Sequence, residues 1–175
     1  VLTLGPAYGY QLHGEVVERT RRDTPLNVGQ VYSTLDRLRR DELIASAGIT
    51  EDHLPLYELT DAGIIEARMH LTEPDVADWH DMVERILLAL SLPGSHHETL
   101  VTNYRRLWEP YAGASSETLD PTGGQAQAAA EHAARLLRSA ALAWLDSLPV
   151  IEPWPLRTDR RRRGRRAAET VHPPA

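Results

Sequence analysis

The sequence predicts a mainly α-helical protein that carries one small two-stranded β-sheet near its amino end. Apolar residues recur at helical spacing over most of the chain, in segments that end at Gly and Pro. Only residues 43–50 and 56–60 have the short, apolar character of strands. The chain has no cysteine, which excludes disulfides, thiolate metal sites and a cysteine nucleophile.

The first long helix is predicted over residues 8–20, after a turn at a Gly-Pro pair. Leu12, Val16 and Val17 are its expected inward positions. A charged run and a proline end it, and a short loop leads to a second helix. Two helices joined in this way have the layout of a helix-turn-helix unit.

The second helix, residues 27–41, has two chemically different faces. Asn27 is a suitable N-cap and Gln30 follows three residues later, a variant of the capping box. Its apolar stripe consists of Val28, Val31, Leu35 and Leu38, and its opposite face of Gly29, Gln30, Ser33, Thr34 and Arg37. A solvated helix face explains this polar surface, but amide, hydroxyl and guanidinium groups also suit base edges in a DNA major groove.

Residues 43–50 and 56–60 are predicted to form a hairpin across an acidic turn. Thr60 is the expected N-cap of a third helix that runs to Leu71. Two helices followed by a two-stranded wing make a winged helix-turn-helix, whose second helix reads DNA.

Three motifs, GPAYGYQL, NVGQVYSTLDRLRRDELI and LYELTDAG, resemble in their order the PadR family of bacterial transcriptional regulators. The resemblance covers roughly the first 63 residues. It departs from the family in a first helix cut to four residues and in a wing that reads EDHLP where the family's is usually basic. The expected DNA-binding residues are Tyr8, Asn27, Gly29, Gln30, Tyr32, Ser33, Thr34, Arg37 and His53.

We expect three domains: a winged helix-turn-helix over residues 1–72, a helical domain over 73–148 and a disordered Arg/Pro-rich tail over 149–175. The helical domain is predicted to contain helices over residues 73–92, 95–111 and 125–148, with a Gly, Ser and Pro-rich link over 112–124. The arginines of the tail, at 160–163, 165 and 166, are either solvated or touch phosphates without specificity.

The PadR resemblance implies that the helical domain holds two subunits together. The residues that we expect at this contact are Val83, Ile86, Leu87, Leu90, Leu137, Trp144 and Leu148. The last helix is predicted to cross onto the partner and to bury Leu137, Trp144 and Leu148 there, against Trp79, Ile86 and Leu90. Such a two-fold dimer suits an inverted repeat in DNA.

Three tryptophans of the helical domain, Trp79, Trp108 and Trp144, have two explanations. They pack in the core and the dimer interface, as large aromatics commonly do. Alternatively they hold a planar aromatic effector near the dimer axis, since the resemblance implies a repressor that phenolic compounds or planar drugs release from DNA.

The sequence gives little support for a metal site, a cofactor site or an enzymatic active site. His80 lies near Asp78, Asp81 and Glu84, and His96 adjoins His97, but neither group has the spacing of a closed metal site. Without a phosphate-binding Gly loop or a nucleophile elbow, we expect no cofactor, no metal and no enzymatic activity. No apolar run approaches the length of a membrane span and no leader is apparent, so we expect a cytoplasmic protein without a membrane partner.

Two functions remain from the sequence. The first is a dimeric, ligand-responsive repressor that places residues 27–41 of both subunits in successive major grooves. The second is a winged-helix module for protein association with weak or no DNA binding, to which the net charge of −6 and the acidic wing point. The polar face of the second helix favours the first, because DNA binding depends on local surface more than on total charge.

Overall fold

The structure, a computed structural model, describes residues 1–21, 25–109 and 124–157. It is mainly helical with one small antiparallel sheet, as predicted. After a short 3-10 helix, Leu2–Leu4, the elements are β1 (Ala7–Tyr8), α1 (Gly9–Thr20), α2 (Val28–Arg40), β2 (Ile44–Ile49), β3 (Pro55–Leu59), α3 (Asp61–His70), α4 (Trp79–Ser91), α5 (His97–Trp108) and α6 (Gly124–Asp146). The predicted link over residues 112–124 lies, apart from Gly124, outside the described residues.

The sheet has three strands in the order β1-β3-β2, one more than predicted. Ala7 pairs with Tyr57 and Tyr8 pairs with Leu56, so β1 borders β3 on the side away from β2. Tyr8, which was expected to open the first helix, therefore lies in a strand, and α1 begins at Gly9. A strand of two residues is too short to produce a periodic pattern in the sequence.

The wing formed by β2 and β3 is confirmed. A bulge between Ser46 and Gly48 bends β2, and Gly48 adopts a φ of 106°, which favours glycine. At the tip, the backbone N–H of Thr50 donates to the carbonyl of Leu54 at 2.9 Å. The tip turn holds His53 exposed at a φ of 60°.

Residues 1–70, the winged-helix region, share one core. Its buried members are Ala7, Leu12, Leu35 and Ile44. Of the predicted inward positions of α1, Leu12 is buried and Val16 half-buried, but the prediction for Val17 is wrong, because 38% of it is exposed. The inward face of α1 instead contains two charged residues, Glu15 and Arg19, which are 3% and 2% exposed.

Helices α4, α5 and α6, the helical region, enclose a second core. Its buried members are Met82, Ile86, Ala89, Leu90, Leu100, Tyr104, Trp108, Ala141 and Leu145. The first of these helices begins at Trp79 rather than at residue 73, because Asp78 caps it by accepting from the N–H of Asp81 at 2.8 Å. Only the carboxyl end of α6 contributes buried residues, at Ala141 and Leu145.

Arg85 joins the end of α3 to the helical region. Its guanidinium donates to the carbonyls of His70 and Glu73 at 3.3 and 3.1 Å. The same side chain pairs with Asp81 at 3.4 Å, and the hydroxyl of Tyr104 donates to that carboxylate. Burial, with the hydrogen bond to Asp81 next, raises the pKa of Tyr104, so its hydroxyl keeps the proton that it donates.

Gly63 gives the first prediction, because α3 passes Leu43 closely at this position. A Cβ at Gly63 would lie 1.9 Å from the carbonyl oxygen of Leu43, which also accepts from the N–H of Thr60 at 3.1 Å. We expect Gly63→Ala to lower the free energy of unfolding by about 3 kcal/mol or more, measured by chemical denaturation.

The matched control is Gly14→Ala, an exposed position in α1 where a Cβ meets nothing within 4 Å. There the same change should raise the free energy of unfolding by roughly 0.5–1 kcal/mol. Equal stability of the two variants would contradict the close approach of α3 to Leu43.

Candidate nucleic-acid interface

The start of α2 is fixed by the side chains that the sequence indicated. The N–H of Gly29 donates to Oδ1 of Asn27 at 2.7 Å. In return, the N–H of Asn27 donates to Oε1 of Gln30 at 3.3 Å. The predicted capping box is therefore confirmed, and it makes the first turn of α2 a defined surface.

The two faces of α2 are also confirmed. Leu35 is buried at 4% exposure in the winged-helix core, and Val31 and Leu38 pack against the same core. The opposite face, made of Gly29, Gln30, Ser33, Thr34 and Arg37, is exposed. We call these five residues the outer face of α2. Because α2 packs against α1, the outer face is held away from the body of the protein.

The polar groups of the outer face differ in how many partners they already have. Gln30 uses Oε1 in the cap, which leaves its amide N–H groups as donors. Ser33 donates to the carbonyl of Gln30 at 3.0 Å. Within the described ranges, the side chain of Arg37 has no hydrogen-bond partner, whereas Arg39 pairs with Asp36 at 3.2 Å. Among the residues that the structure describes, Arg37 and Arg40 therefore both have a guanidinium without a partner, and Arg37 is the one that belongs to the outer face.

The three tyrosines of the amino-terminal part, Tyr8, Tyr10 and Tyr32, differ in their surroundings. Tyr32 is 40% exposed, and a Cβ at Gly9 would lie 2.6 Å from its ring, so the ring lies where α1 and α2 approach each other. Tyr8 is half-buried in β1. Tyr10 is 51% exposed and stacks on His13, with ring centroids 6.0 Å apart. Contact of Tyr8 or Tyr32 with a phosphate stays a prediction.

Two of the acidic residues that lie near His80 in the sequence, Asp78 and Asp81, have other partners. Asp78 caps α4, and Asp81 accepts from Tyr104 and pairs with Arg85. Across residues 1–21, 25–109 and 124–157, no three His, Asp or Glu side chains are grouped so as to hold a metal ion.

The residues expected at the dimer contact divide into three groups. Ile86 and Leu90, at 0% and 7% exposure, are buried inside this chain, so their assignment to a subunit interface is wrong. The packing of α4 against α5 uses these positions within one subunit. Val83, Leu87, Trp144 and Leu148 are half-buried, and Leu137 is 45% exposed.

The three tryptophans are not alike. Trp108 is 5% exposed and belongs to the helical-region core. Trp79 and Trp144 are half-buried and meet edge to face, with ring centroids 5.9 Å apart at 60°. Their contact, which was predicted across two subunits, is formed within one. A separate open cavity of about 560 Å³ lies between α5 and residues 148–153, and none of these tryptophans lines it.

A capped helix with an exposed polar face, followed by a two-stranded wing, defines a winged helix-turn-helix protein. Residues 1–69 match the family described as the transcriptional regulator PadR-like family. The resemblance seen in the three motifs is therefore confirmed. A comparison of the chain with curated proteins found no match. No helix within the described ranges has the length and apolar character needed to cross a membrane.

Proposed function

We propose that this protein is a dimeric, ligand-responsive transcriptional repressor that binds an inverted repeat in DNA through α2 of each subunit. The observation that carries the proposal is the outer face of α2, whose five residues are all exposed while the apolar stripe behind them packs on the winged-helix core. The match of residues 1–69 to a family of transcriptional regulators supports the same conclusion.

Arg37 is the strongest candidate for a base contact. Its guanidinium has no hydrogen-bond partner among the described residues, and such a group binds the two acceptors of guanine in the major groove. Gly29 has no side chain to keep the backbone from the DNA, and Gln30 retains amide donors. The basic end of α2, with Arg37, Arg39 and Arg40, adds attraction for phosphates.

The wing favours the alternative function, protein association with weak or no DNA binding. Glu51 and Asp52 directly precede His53 at its tip, where carboxylates oppose phosphate contact. His53 is exposed there and is the wing residue that we propose to meet DNA. Binding of the parent protein to DNA therefore decides between the two functions.

Arg37→Ala tests the outer face of α2. We expect it to weaken binding to the DNA upstream of the protein's own gene by about tenfold to one hundredfold, since a lost base contact costs about 1–3 kcal/mol. Binding to unrelated DNA should change less. Fluorescence anisotropy at one fixed salt concentration measures both affinities.

The control for Arg37→Ala is Arg106→Ala, an exposed arginine of α5, which should bind as the parent does. An equal loss on specific and unrelated DNA would show that Arg37 touches phosphates only. Absence of DNA binding by the parent would leave the protein-association function.

The amino-terminal part of α6 is the dimer contact that we propose. Residues 125–140 are exposed except Arg138, and the exposed fractions of Leu136 and Leu137 are 58% and 45%. A helical stretch of this length is marginal in water when no other element covers it. A second subunit would cover its alanines and leucines and would thereby stabilise it.

Leu136→Glu combined with Leu137→Glu tests this contact. We expect the double variant to sediment as a monomer and to lose most of its affinity for the inverted repeat, because charge on a buried apolar contact opposes association. Ala143→Glu, at an exposed position nearer the carboxyl end of α6, should remain dimeric. A double variant that still sediments as a dimer places the contact elsewhere.

Ligand response is proposed for Trp79 and Trp144. Trp108 is unsuited to the role that we expected for it, because it is buried in the core. The pair joins α4 to α6 and both rings are half-buried, so a planar aromatic ligand bound near the dimer axis could contact them.

We expect para-hydroxycinnamate, taken as a phenolic probe, to quench tryptophan fluorescence and to weaken DNA binding. Linkage requires DNA to reduce the affinity of the probe by the same factor. Trp79→Leu should reduce the binding of the probe, while Arg106→Ala serves again as the control. Equal affinity of the probe with and without DNA would contradict this mechanism.

A further inference from the structure

One extended segment, residues 151–157, packs against both cores of the chain, and we call it the clasp. It contains neither helix nor strand. Ile151 packs against the helical-region core, whereas Leu156 packs against the winged-helix core. The sequence placed these residues in a disordered tail, because their prolines and arginine show no periodic pattern, but they have defined contacts. Residues 158–175 of that tail lie outside the described residues.

Arg19 of α1 is the centre of these contacts. Its Nε donates to Glu15 at 2.8 Å and its Nη1 to the carbonyl of Ser91, at the end of α4, at 2.7 Å. Its Nη2 donates to the carbonyls of Trp154 and Pro155, each at 3.1 Å. The guanidinium also lies 4.7 Å from the centre of the Trp154 ring. A single buried side chain thus binds α1, α4 and the clasp.

The backbone of the clasp forms further hydrogen bonds with α1 and with the end of α4. The N–H of Trp154 donates to the carbonyl of Ser91 at 3.2 Å. The N–H of Arg157 donates to the second carboxylate oxygen of Glu15 at 3.0 Å, and its carbonyl accepts from Gln11 at 2.9 Å. Both oxygens of the buried carboxylate therefore have donors, one from Arg19 and one from the clasp.

Removal of the clasp would leave the buried pair of Glu15 and Arg19 with unsatisfied hydrogen-bonding groups. Two carbonyl acceptors of Arg19 and one donor to Glu15 come from the clasp. A buried ion pair is stable only when its remaining donors and acceptors are satisfied, and a group left without its partner is costly. Water would have to enter between α1 and α4, which pack against each other at this point.

We propose that Arg19 is a positioning residue for DNA binding. By holding the clasp and the end of α4, it fixes the orientation of α1 relative to the helical region, and α2 moves with α1 because the two helices pack together. The effect on DNA rests on the proposed function, since two recognition helices have to match half-sites about 34 Å apart. The fixed orientation itself does not depend on DNA.

Distance measurements between spin labels test the orientation in the full-length chain without DNA. The chain has no cysteine, so Arg40→Cys in α2 and Thr99→Cys in α5, both exposed, accept labels at these sites alone. The labelled protein is mixed with an excess of unlabelled protein, so that the measured distances lie within one subunit. We expect one narrow distance distribution in the parent. In Leu156→Asp and Arg19→Lys, the width of this distance distribution should increase roughly twofold or more, because the winged-helix region samples several orientations relative to the helical region.

Val150→Asp is the matched control, because Val150 adjoins the clasp and is fully exposed. It introduces the same charge as Leu156→Asp and should keep the narrow distribution. Circular dichroism checks that each variant keeps its helices. If Leu156→Asp fails to fold, Trp154→Ala replaces it, since that change removes the ring over Arg19 and keeps Leu156 in place.

Binding to DNA provides the second readout. If one molecule in ten keeps the competent orientation, affinity for the inverted repeat falls about tenfold. Discrimination among repeats with altered half-site spacing should fall in Arg19→Lys as well, whereas a loss of stability alone would leave that discrimination intact.

An unchanged distance distribution in the folded variants overturns the proposal, whatever their affinity for DNA. A parent that binds no DNA refutes the proposed function, and the distances still decide the role of the clasp.

Discussion

The burial of one ion pair, Glu15 with Arg19, constrains the arrangement of the whole chain. Moving two charges out of water is expensive, so such a pair persists only where every remaining donor and acceptor has a partner. Those partners come from places far apart in the sequence: Ser91 at the end of α4, and Trp154, Pro155 and Arg157 in the clasp. The pair therefore specifies a single relation among α1, α4 and the clasp.

Helix α1 packs against different elements on two of its sides. One side meets α2, where the absence of a side chain at Gly9 lets the ring of Tyr32 approach closely. Another side carries Glu15 and Arg19 toward α4. Since α2 uses its apolar stripe against the winged-helix core, its outer face packs against no other element that the structure describes, and only Gln30 has a structural role there, in the cap. A polar helix face that is held rigid and left exposed is suited to binding a partner outside the chain.

Local features were predictable from the sequence, and features that depend on distant contacts were not. The capping box of Asn27 and the wing follow from neighbouring residues. The clasp, by contrast, depends on Arg19. The start of α4 at Trp79 follows from a local cap, Asp78, so the sequence did contain a signal for it. Glu15 and Arg19 do lie at helical spacing from Leu12, so the buried face of α1 had a signal that their charge obscured. Ile86 and Leu90 were misassigned because burial within a subunit and burial between subunits produce the same apolar pattern.

Under the proposed function, the acidic wing limits which surfaces can attract DNA. With Glu51 and Asp52 at the wing tip, phosphate attraction in the winged-helix region falls mainly to the end of α2. Arg39 already pairs with Asp36, although an exposed pair of this kind is worth roughly 0–1 kcal/mol and yields readily to another anion. A protein with few phosphate contacts discriminates sequences mainly through its base contacts. Under the proposed function, the orientation of α2 then matters more than total charge, and we propose that the contacts of Arg19 fix this orientation.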